Sequence, residues 1–222
     1  MKLTKLPLLA TLSLLTLTSV SVSWAQSTKR LIDEVNPFIG TSNFGTTNPG
    51  AVVPNGLMSI TPFNVSGSPE LNKFDKDKRW WSTPYTADNK FFSGFSHVNL
   101  SGVGCPELGS IIVSASSGDL DVDYTHYGSA MSHEQAHPGY YSVELDKHKI
   151  KAEVTATQRT AISAFTFERG GKSNILVNLG LGLTNESGAT VRFLNDSTIV
   201  GSKLMGTFCY APQAVFNQYF AI

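Results

Sequence analysis

The stretch that decides the fold is Lys149–Ala156, which reads KIKAEVTA. Apolar side chains recur there at every second position, with polar side chains between them. This alternation is typical of a β-strand that buries one of its faces. The buried face would carry Ile150, Ala152, Val154 and Ala156, and the other face Lys151, Glu153 and Thr155.

Similar short runs rich in Val, Ile, Thr and aromatic residues fill the second half of the chain, and turn-forming residues separate them. Several short strands at nearly regular spacing predict an all-β fold, an antiparallel β-sandwich of the supersandwich kind. No amphipathic helix longer than about two turns is expected. The runs are YYSVEL (140–145), RTAISAFTFE (159–168), SNILVNLG (173–180) and STIVGSKLMGTFCY (197–210).

The final residues, QAVFNQYFAI at 213–222, predict one more strand. Neither a turn nor a helix cap nor a polar tail follows the alternating pattern. We therefore expect a chain that has lost its continuation.

The region from residue 40 to residue 106 has a different character, because Gly and Pro punctuate it throughout. Their density excludes long helices and predicts long loops. A long ordered loop region in a compact domain is usually functional. The aromatic residues interleaved there, among them Trp80 and Trp81, favour order.

The first 25 residues have the features of a signal peptide. Lys2 and Lys5 precede an apolar stretch from Leu6 to Val22, and Ser23 and Ala25 supply the small residues that a signal peptidase needs. A membrane anchor is disfavoured, because Thr and Ser dilute the apolar stretch and no basic cluster follows it. We expect a secreted or periplasmic bacterial protein, cleaved near Ala25, with one domain at 26–222 and no membrane span after cleavage.

Charge and cysteine content narrow the possible functions further. Seventeen basic residues balance seventeen acidic ones, which argues against nucleic-acid binding and against a polybasic membrane-surface protein. The chain has two cysteines, Cys105 and Cys209. They could form a disulfide in an oxidising compartment, or they could be two separate small buried residues.

The motif HEQAH at 133–137 matches the zinc-protease pattern HExxH. Gly128, Pro138 and Gly139 disfavour a helix there, so the sequence argues against a metalloprotease.

Asp119, Asp121 and Asp123 alternate in GDLDVDY and would line one face of a strand. The favoured interpretation is a strand face exposed to solvent. The alternative is a calcium site, because hard cations prefer oxygen ligands. A serine-nucleophile elbow and a phosphate loop are both missing from the sequence.

Two loop features are better candidates for binding. The pair Trp80–Trp81 could offer amphipathic rings to a sugar face, or could fill the core. GFSHVNLSGVGCPELGS at 94–110 sets a histidine, hydroxyls and a cysteine among glycines. This stretch contains no nucleophile paired with a base, and we expect Glu107 to have a structural role.

Three stretches together resemble the N-terminal part of glycoside hydrolase family 92, the calcium-dependent exo-acting α-mannosidases. They are VNPFIGTSNFGTTNPGAVVPNGLMSITPFN (35–64), FFSGFSHVNLSGVGCPELGSIIV (91–113) and SHEQAHPGYYSVEL (132–145). The resemblance runs from about Val35 to the last residue. One departure is SNFGTTNPG, where the family often has a His-rich loop, so we expect a subgroup with a different linkage preference.

The resemblance implies a β-sandwich followed in the intact enzyme by an (α/α)6 barrel. That second domain would hold the catalytic carboxylates and most contacts to calcium, and no stretch here matches it. The sandwich would lend three loops to the sugar site: the loop after Gly40, the Trp80–Trp81 region and SHVNLSGVGC.

The sequence therefore predicts no catalytic residue and no metal ligand in this chain. The expected substrate-binding residues are Trp80, Trp81, His97, Ser101, Gly102 and Cys105. The partners would be mannose-containing glycans and the helical domain, with calcium bound in the intact enzyme. The alternative is a stand-alone carbohydrate-binding or envelope protein without catalysis.

Overall fold

The structure is a computed structural model, which describes residues 30–43, 45–68, 73–76, 82–105, 107–168, 170–183, 186–206, 211 and 213–222. At residues 66–68, 73–76 and 186 it describes the backbone alone. The signal-peptide prediction for 1–25 therefore lies outside the described residues.

A five-stranded antiparallel sheet, called the first sheet here, forms one layer of a sandwich. Its strand order is β1-β2-β6-β7-β12. A second five-stranded antiparallel sheet, of order β11-β10-β9-β8-β5, faces it. The strands are β1 (Ala51–Val52), β2 (Ser59–Phe63), β5 (Phe91–Phe92), β6 (Gly94–Asn99), β7 (Leu108–Ser117), β8 (Ser129–His137), β9 (Tyr140–Leu145), β10 (Ile150–Ala156), β11 (Ala161–Phe167) and β12 (Ser173–Asn178).

Two smaller sheets complete the architecture. β3 (Ser66–Ser68) pairs with β4 (Lys73–Lys76), and a third sheet has the order β13-β14-β15. The strands of that third sheet are β13 (Glu186–Asn195), β14 (Thr198–Met205) and β15 (Phe216–Ala221). Within the described residues the helices are one 3₁₀ turn, Leu31–Glu34, and α1, Tyr124–Tyr127. The all-β, antiparallel prediction is confirmed.

The main core lies between the two five-stranded sheets. In β10 the burial alternates as KIKAEVTA predicts, with Ile150, Ala152 and Val154 buried. They pack with residues of the first sheet, including Ile60 and Phe95. Removing this much apolar surface from water is the main stabilising contribution to the sandwich.

A second apolar cluster, which contains Phe63, Ile112 and Leu181, is separate from the main core. The third sheet is linked to this part of the molecule, because Ser110 on β7 donates to the side chain of Gln218 on β15. The ammonium group of Lys203 on β14 is wholly buried and donates to the Leu181 carbonyl at 3.2 Å. Burial lowers the pKa of Lys203 to about 7.

The strand predicted for the three aspartates is wrong, although all three are exposed to solvent, as the favoured interpretation expected. Residues 119–123 form a loop between β7 and α1 rather than a strand. Asp123 is the N-cap of α1, since its carboxylate accepts from the backbone N–H of Thr125 at 2.9 Å. Asp119 pairs with Lys172 at 2.6 Å. These aspartates are a cap and a surface ion pair.

Candidate functional site

Three loops that are far apart in the sequence meet at Gly102. The Gly102 N–H donates to the Thr46 carbonyl at 2.7 Å. The Ser82 hydroxyl donates to the Gly102 carbonyl at 3.1 Å. Thr46 belongs to the loop after Gly40, and Ser82 directly follows Trp80–Trp81. We call the residues 40–43, 45–49, 82–83 and 100–105 the loop cluster.

The loop after Gly40 is held in shape by its own hydrogen bonds. The Thr47 hydroxyl donates to the Ile39 carbonyl at 2.7 Å, and the Thr41 hydroxyl donates to the Phe38 carbonyl at 2.8 Å. The Asn43 N–H donates to the Asp88 carboxylate at 2.9 Å. This loop is therefore ordered without a helix or strand, as a binding loop on a rigid scaffold must be.

Residues 100–105 lie between β6 and β7, and three of their side chains are exposed. Ser101 is exposed, and Val103 is 94% exposed. A second contact to the loop after Gly40 joins the Asn48 amide to the Leu100 carbonyl at 3.5 Å. The segment is thus anchored by its backbone, while the side chains of Leu100, Ser101 and Val103 remain exposed.

Asn99 fixes the start of this connection. Its backbone N–H donates to the Ser59 hydroxyl at 2.7 Å, and its side-chain oxygen accepts from the Ser96 hydroxyl at 2.7 Å. The preceding residue, Val98, has a φ of +55°, which is strained for a β-branched residue. Strain of this kind persists only where the surroundings enforce it.

His97 lies on β6, half-buried, with its Nδ1 2.6 Å from the Ile111 carbonyl oxygen. A carbonyl can only accept, so Nδ1 carries the proton. Burial lowers the pKa of His97, while this hydrogen bond opposes the shift. The contact ties β6 to Ile111, which has a φ of +50°.

Cys105, at the end of the loop cluster, is disulfide-bonded. Cys209, the other cysteine of the sequence, lies outside the described residues. Trp80 and Trp81 also lie outside them. Of the six expected binding residues, the structure therefore places Ser101, Gly102 and Cys105 in one loop and His97 on the strand that leads into it.

Gly102 is expected to be the most sensitive position of the loop cluster. Its φ of +98° is unfavourable for any L-residue, although a Cβ there would meet open space. Gly102→Ala should therefore loosen the contact to Thr46 by about 1 kcal/mol. Hydrogen exchange of the amide at position 102 would measure this. The matched control is Gly104→Ala, where a Cβ also meets open space; equal losses in the two variants would contradict the prediction.

Glu107 follows the loop cluster and was read from the sequence as structural. It is 1% exposed, and its Oε2 has no hydrogen-bond partner. Its Oε1 accepts from the Leu108 N–H at 3.4 Å. Burial raises the pKa of Glu107, and that hydrogen bond opposes the shift only in part.

A pH dependence of stability follows from this burial. Because the folded-state pKa of Glu107 is raised, folding favours the protonated form, and stability is lost as pH rises through that pKa. The glutamine in Glu107→Gln cannot titrate. The free energy of unfolding of this variant, relative to that of the wild type, should therefore increase by on the order of 1 kcal/mol between pH 4 and pH 8. Urea unfolding at both pH values would measure the difference, and a pH-independent difference would refute this assignment.

The motif HEQAH lies on β8, so the zinc-protease reading is wrong. His133 bonds to Glu144 at 3.0 Å, and the ring of His137 stacks on Tyr140 at 4.7 Å. Glu134 is bound by Tyr85, Tyr141 and Lys90. Throughout the described part of the chain, no three His, Cys, Asp or Glu side chains are grouped to hold a metal ion. The described residues therefore offer no cluster of carboxylates for calcium.

Sequence reasoning missed the residues that organise the loop cluster, namely Thr46, Ser82 and Asn99. Their partners lie far away in the sequence, so no local pattern marks them. Asp123 was a local signal that could have been recognised, since Asp is one of the residues preferred at a helix N-cap.

Comparison with known proteins identifies the family of this chain. The family model for the glycosyl hydrolase family 92 N-terminal domain matches residues 34–222. An uncharacterized secreted glycosidase of Arthroderma benhamiae is 28% identical over 185 residues, which cover 77% of this chain and 22% of that protein.

Solved structures are similar as well. A family GH92 α-mannosidase from Bacteroides thetaiotaomicron, in complex with mannoimidazole, has a TM-score of 0.74 and 31% identity, covering 87% of this chain and 25% of that one. The GH92 family glycosyl hydrolase CcMan5 has a TM-score of 0.67 and 27% identity, covering 86% and 26%. The chain thus spans about a quarter of the length of these relatives. With the family model matched over most of its residues, this chain belongs to glycosyl hydrolase family 92 and corresponds to the N-terminal domain of its α-mannosidases.

Proposed function

We propose that this chain is the N-terminal, sugar-site-forming domain of a secreted exo-α-mannosidase that acts on terminal α-linked mannose of N-glycans or mannan. The observation that carries the proposal is the convergence at Gly102 of the three loops that the family resemblance assigns to the sugar site. Ser82 and Thr83 are buried and help to fix the backbone, while Ser101 and Val103 are exposed at the rim, as binding loops on a rigid scaffold require.

The catalytic carboxylates and the calcium ligands would come from a second, helical domain. An inverting glycosidase needs two carboxyl groups about 6.5–9.5 Å apart across the scissile bond. Near the loop cluster, Glu107 is buried and Asp88 is bonded to the Asn43 N–H. Any calcium of the intact enzyme would be held by that second domain, and this chain would supply one wall of the sugar site.

A secreted or periplasmic location is part of the proposal. The signal-peptide pattern at 1–25, the disulfide at Cys105 and the name of the secreted relative all support it. In the described part of the chain, no helix has the length and apolar character needed to cross a membrane.

Mannoside binding tests the proposal directly. In protein that begins at Gln26, Trp80 and Trp81 are the only tryptophans, so the fluorescence comes from the two residues that directly precede Ser82 in the sequence. Titration with α-mannobiose should give a saturable change, which Ser101→Tyr should weaken by crowding the exposed rim. Glucose-based cellobiose serves as the control sugar. An equal response to both sugars would contradict a mannose site.

Hydrolysis provides a second arm of the test. Without the helical domain, the purified protein should not cleave an aryl α-mannoside at saturating calcium. Activity that survives in the 222-residue protein would show that a catalytic pair lies within this chain and would overturn the assignment of the carboxylates.

A further inference from the structure

The third sheet carries a groove that the loop cluster does not use. The groove has a volume of about 490 Å³ and is lined by residues of all three strands, among them Arg192, Ser202 and Tyr219. This volume lies in the range of small-molecule sites.

The strand register shows which side chains share a face of the sheet. Thr190, Ser202 and Tyr219 are cross-strand neighbours and form one row. Arg192, Val200 and Ala221 form the next row on the same face, because they lie two residues away along each strand. We call these two rows the polar face of the third sheet.

The two faces of this sheet differ in chemistry. Val191, Phe193, Ile199 and Phe220 fall on the opposite face, which is apolar. The polar face instead has a hydroxyl pair on its floor, Thr190 and Ser202, whose oxygens are 2.9 Å apart. Arg192 and Tyr219 stand on the outer strands, about 9.5 Å apart in the direction across the sheet.

Both outer side chains are available to a ligand. Tyr219 is 76% exposed, and Arg192 is also exposed. Within the described residues, neither the Tyr219 hydroxyl nor the Arg192 guanidinium has a hydrogen-bond or ion-pair partner. An exposed aromatic ring with a polar edge can cover the C–H face of a sugar ring, and a free guanidinium matches a carboxylate or phosphate group in two-point geometry.

We propose that the polar face of the third sheet is a second carbohydrate-binding site, selective for a hexopyranose that bears an anionic group. The ring lies against Tyr219, the hydroxyls of Thr190 and Ser202 meet the sugar hydroxyls, and Arg192 binds the anionic substituent. A groove two strand spacings wide accommodates one such ring between its walls. This site is separate from the loop cluster and does not depend on α-mannosidase activity.

Isothermal titration with three probes tests the proposal: mannose 6-phosphate, glucuronic acid and mannose. Both anionic sugars should bind more tightly than mannose, and added salt should weaken the anionic sugars alone. Binding of mannose 6-phosphate but not of glucuronic acid would assign the anionic group to phosphate. Equal affinity for all three sugars, or binding of none, would overturn the proposal.

Variants locate the site. Tyr219→Ala should weaken mannose 6-phosphate binding about tenfold. Arg192→Gln should abolish the preference for the anionic sugars while leaving mannose binding unchanged. Phe193→Ala, on the apolar face, is the matched control and should have no effect. Since Ser101→Tyr lies in the loop cluster, it should leave this site intact. Loss of binding in Phe193→Ala rather than in Tyr219→Ala would refute the location without bearing on the proposed function. Loss in Ser101→Tyr alone would place the binding at the loop cluster and would also refute the second site.

Discussion

Replacing Glu134 by alanine is expected to lower the free energy of unfolding by about 4 kcal/mol. Tyr85 and Tyr141 are wholly buried, and both hydroxyls donate to the same carboxylate oxygen, at 2.7 and 2.8 Å. Lys90 binds the other oxygen. Alanine leaves two buried hydroxyls without an acceptor and a lysine without its partner, and it also opens a cavity.

The protonation states of this cluster strengthen the expectation. Burial first, and then the charge of Glu134, hold the pKa of Tyr85 and of Tyr141 far above the usual range. Both tyrosines therefore remain hydrogen-bond donors throughout the pH range in which the protein would be studied, so the loss should not depend on pH through them.

Urea unfolding of three variants separates this effect from a general cost of removing an acid. Glu134→Gln keeps an acceptor oxygen and should cost less than Glu134→Ala. Glu144→Ala removes an acid that is nearly half exposed on the neighbouring strand, and should change stability by less than about 0.5 kcal/mol. Similar losses of unfolding free energy in Glu134→Ala and Glu144→Ala would show that the buried hydrogen bonds of Glu134 do not stabilise the fold beyond the effect of an exposed acid.

Breaking the disulfide at Cys105 is expected to have the second large effect. The only other cysteine, Cys209, is about a hundred residues away. Closing a loop of that length stabilises the folded state by about 4–5 kcal/mol in the chain-entropy model. Cys105→Ser should therefore reduce the free energy of unfolding by an amount near 4 kcal/mol.

A double-variant cycle gives this prediction its control. If the two cysteines form one bond, Cys105→Ser, Cys209→Ser and the double variant should all lose the same amount. The wild type treated with a reductant should match them. Losses that add in the double variant would mean that each thiol contributes separately, and a wild type insensitive to reductant would contradict the disulfide's role.

Some strands of the second half could be predicted from sequence because one face is more buried than the other, but β13 was missed, since its residues 187–195 are all exposed. β9, β10 and β11 begin and end close to the runs read from the alternation. In contrast, β2 and β6 of the first sheet were hidden within the loop-rich region. All five residues of β2 are buried, so no alternation marks it, and it contains Pro62.

The aspartate stretch shows the opposite error. Asp119, Asp121 and Asp123 alternate with Leu120 and Val122, but both apolar side chains are exposed. An alternating pattern without a surface to pack against does not make a strand. A single capping residue, Asp123, decided the local structure instead.

The candidate site could be predicted only in part. The family resemblance identified the three loops, but their meeting point depends on Thr46 and Ser82 reaching Gly102 across 56 and 20 residues. Contacts of such sequence separation leave no periodic trace. Glu107 was recognised as structural, yet its buried, unpartnered oxygen is visible only in three dimensions.

The central claim is that the loops at Gly102 form one wall of a mannoside site. Amide chemical-shift mapping during titration with α-mannobiose tests it most directly. The account predicts saturable shifts at Thr46, Ser82 and Gly102, reduced in Gly102→Ala and retained in Gly104→Ala. Shifts that are absent from all three positions, while α-mannobiose binds elsewhere on the protein, would contradict the account.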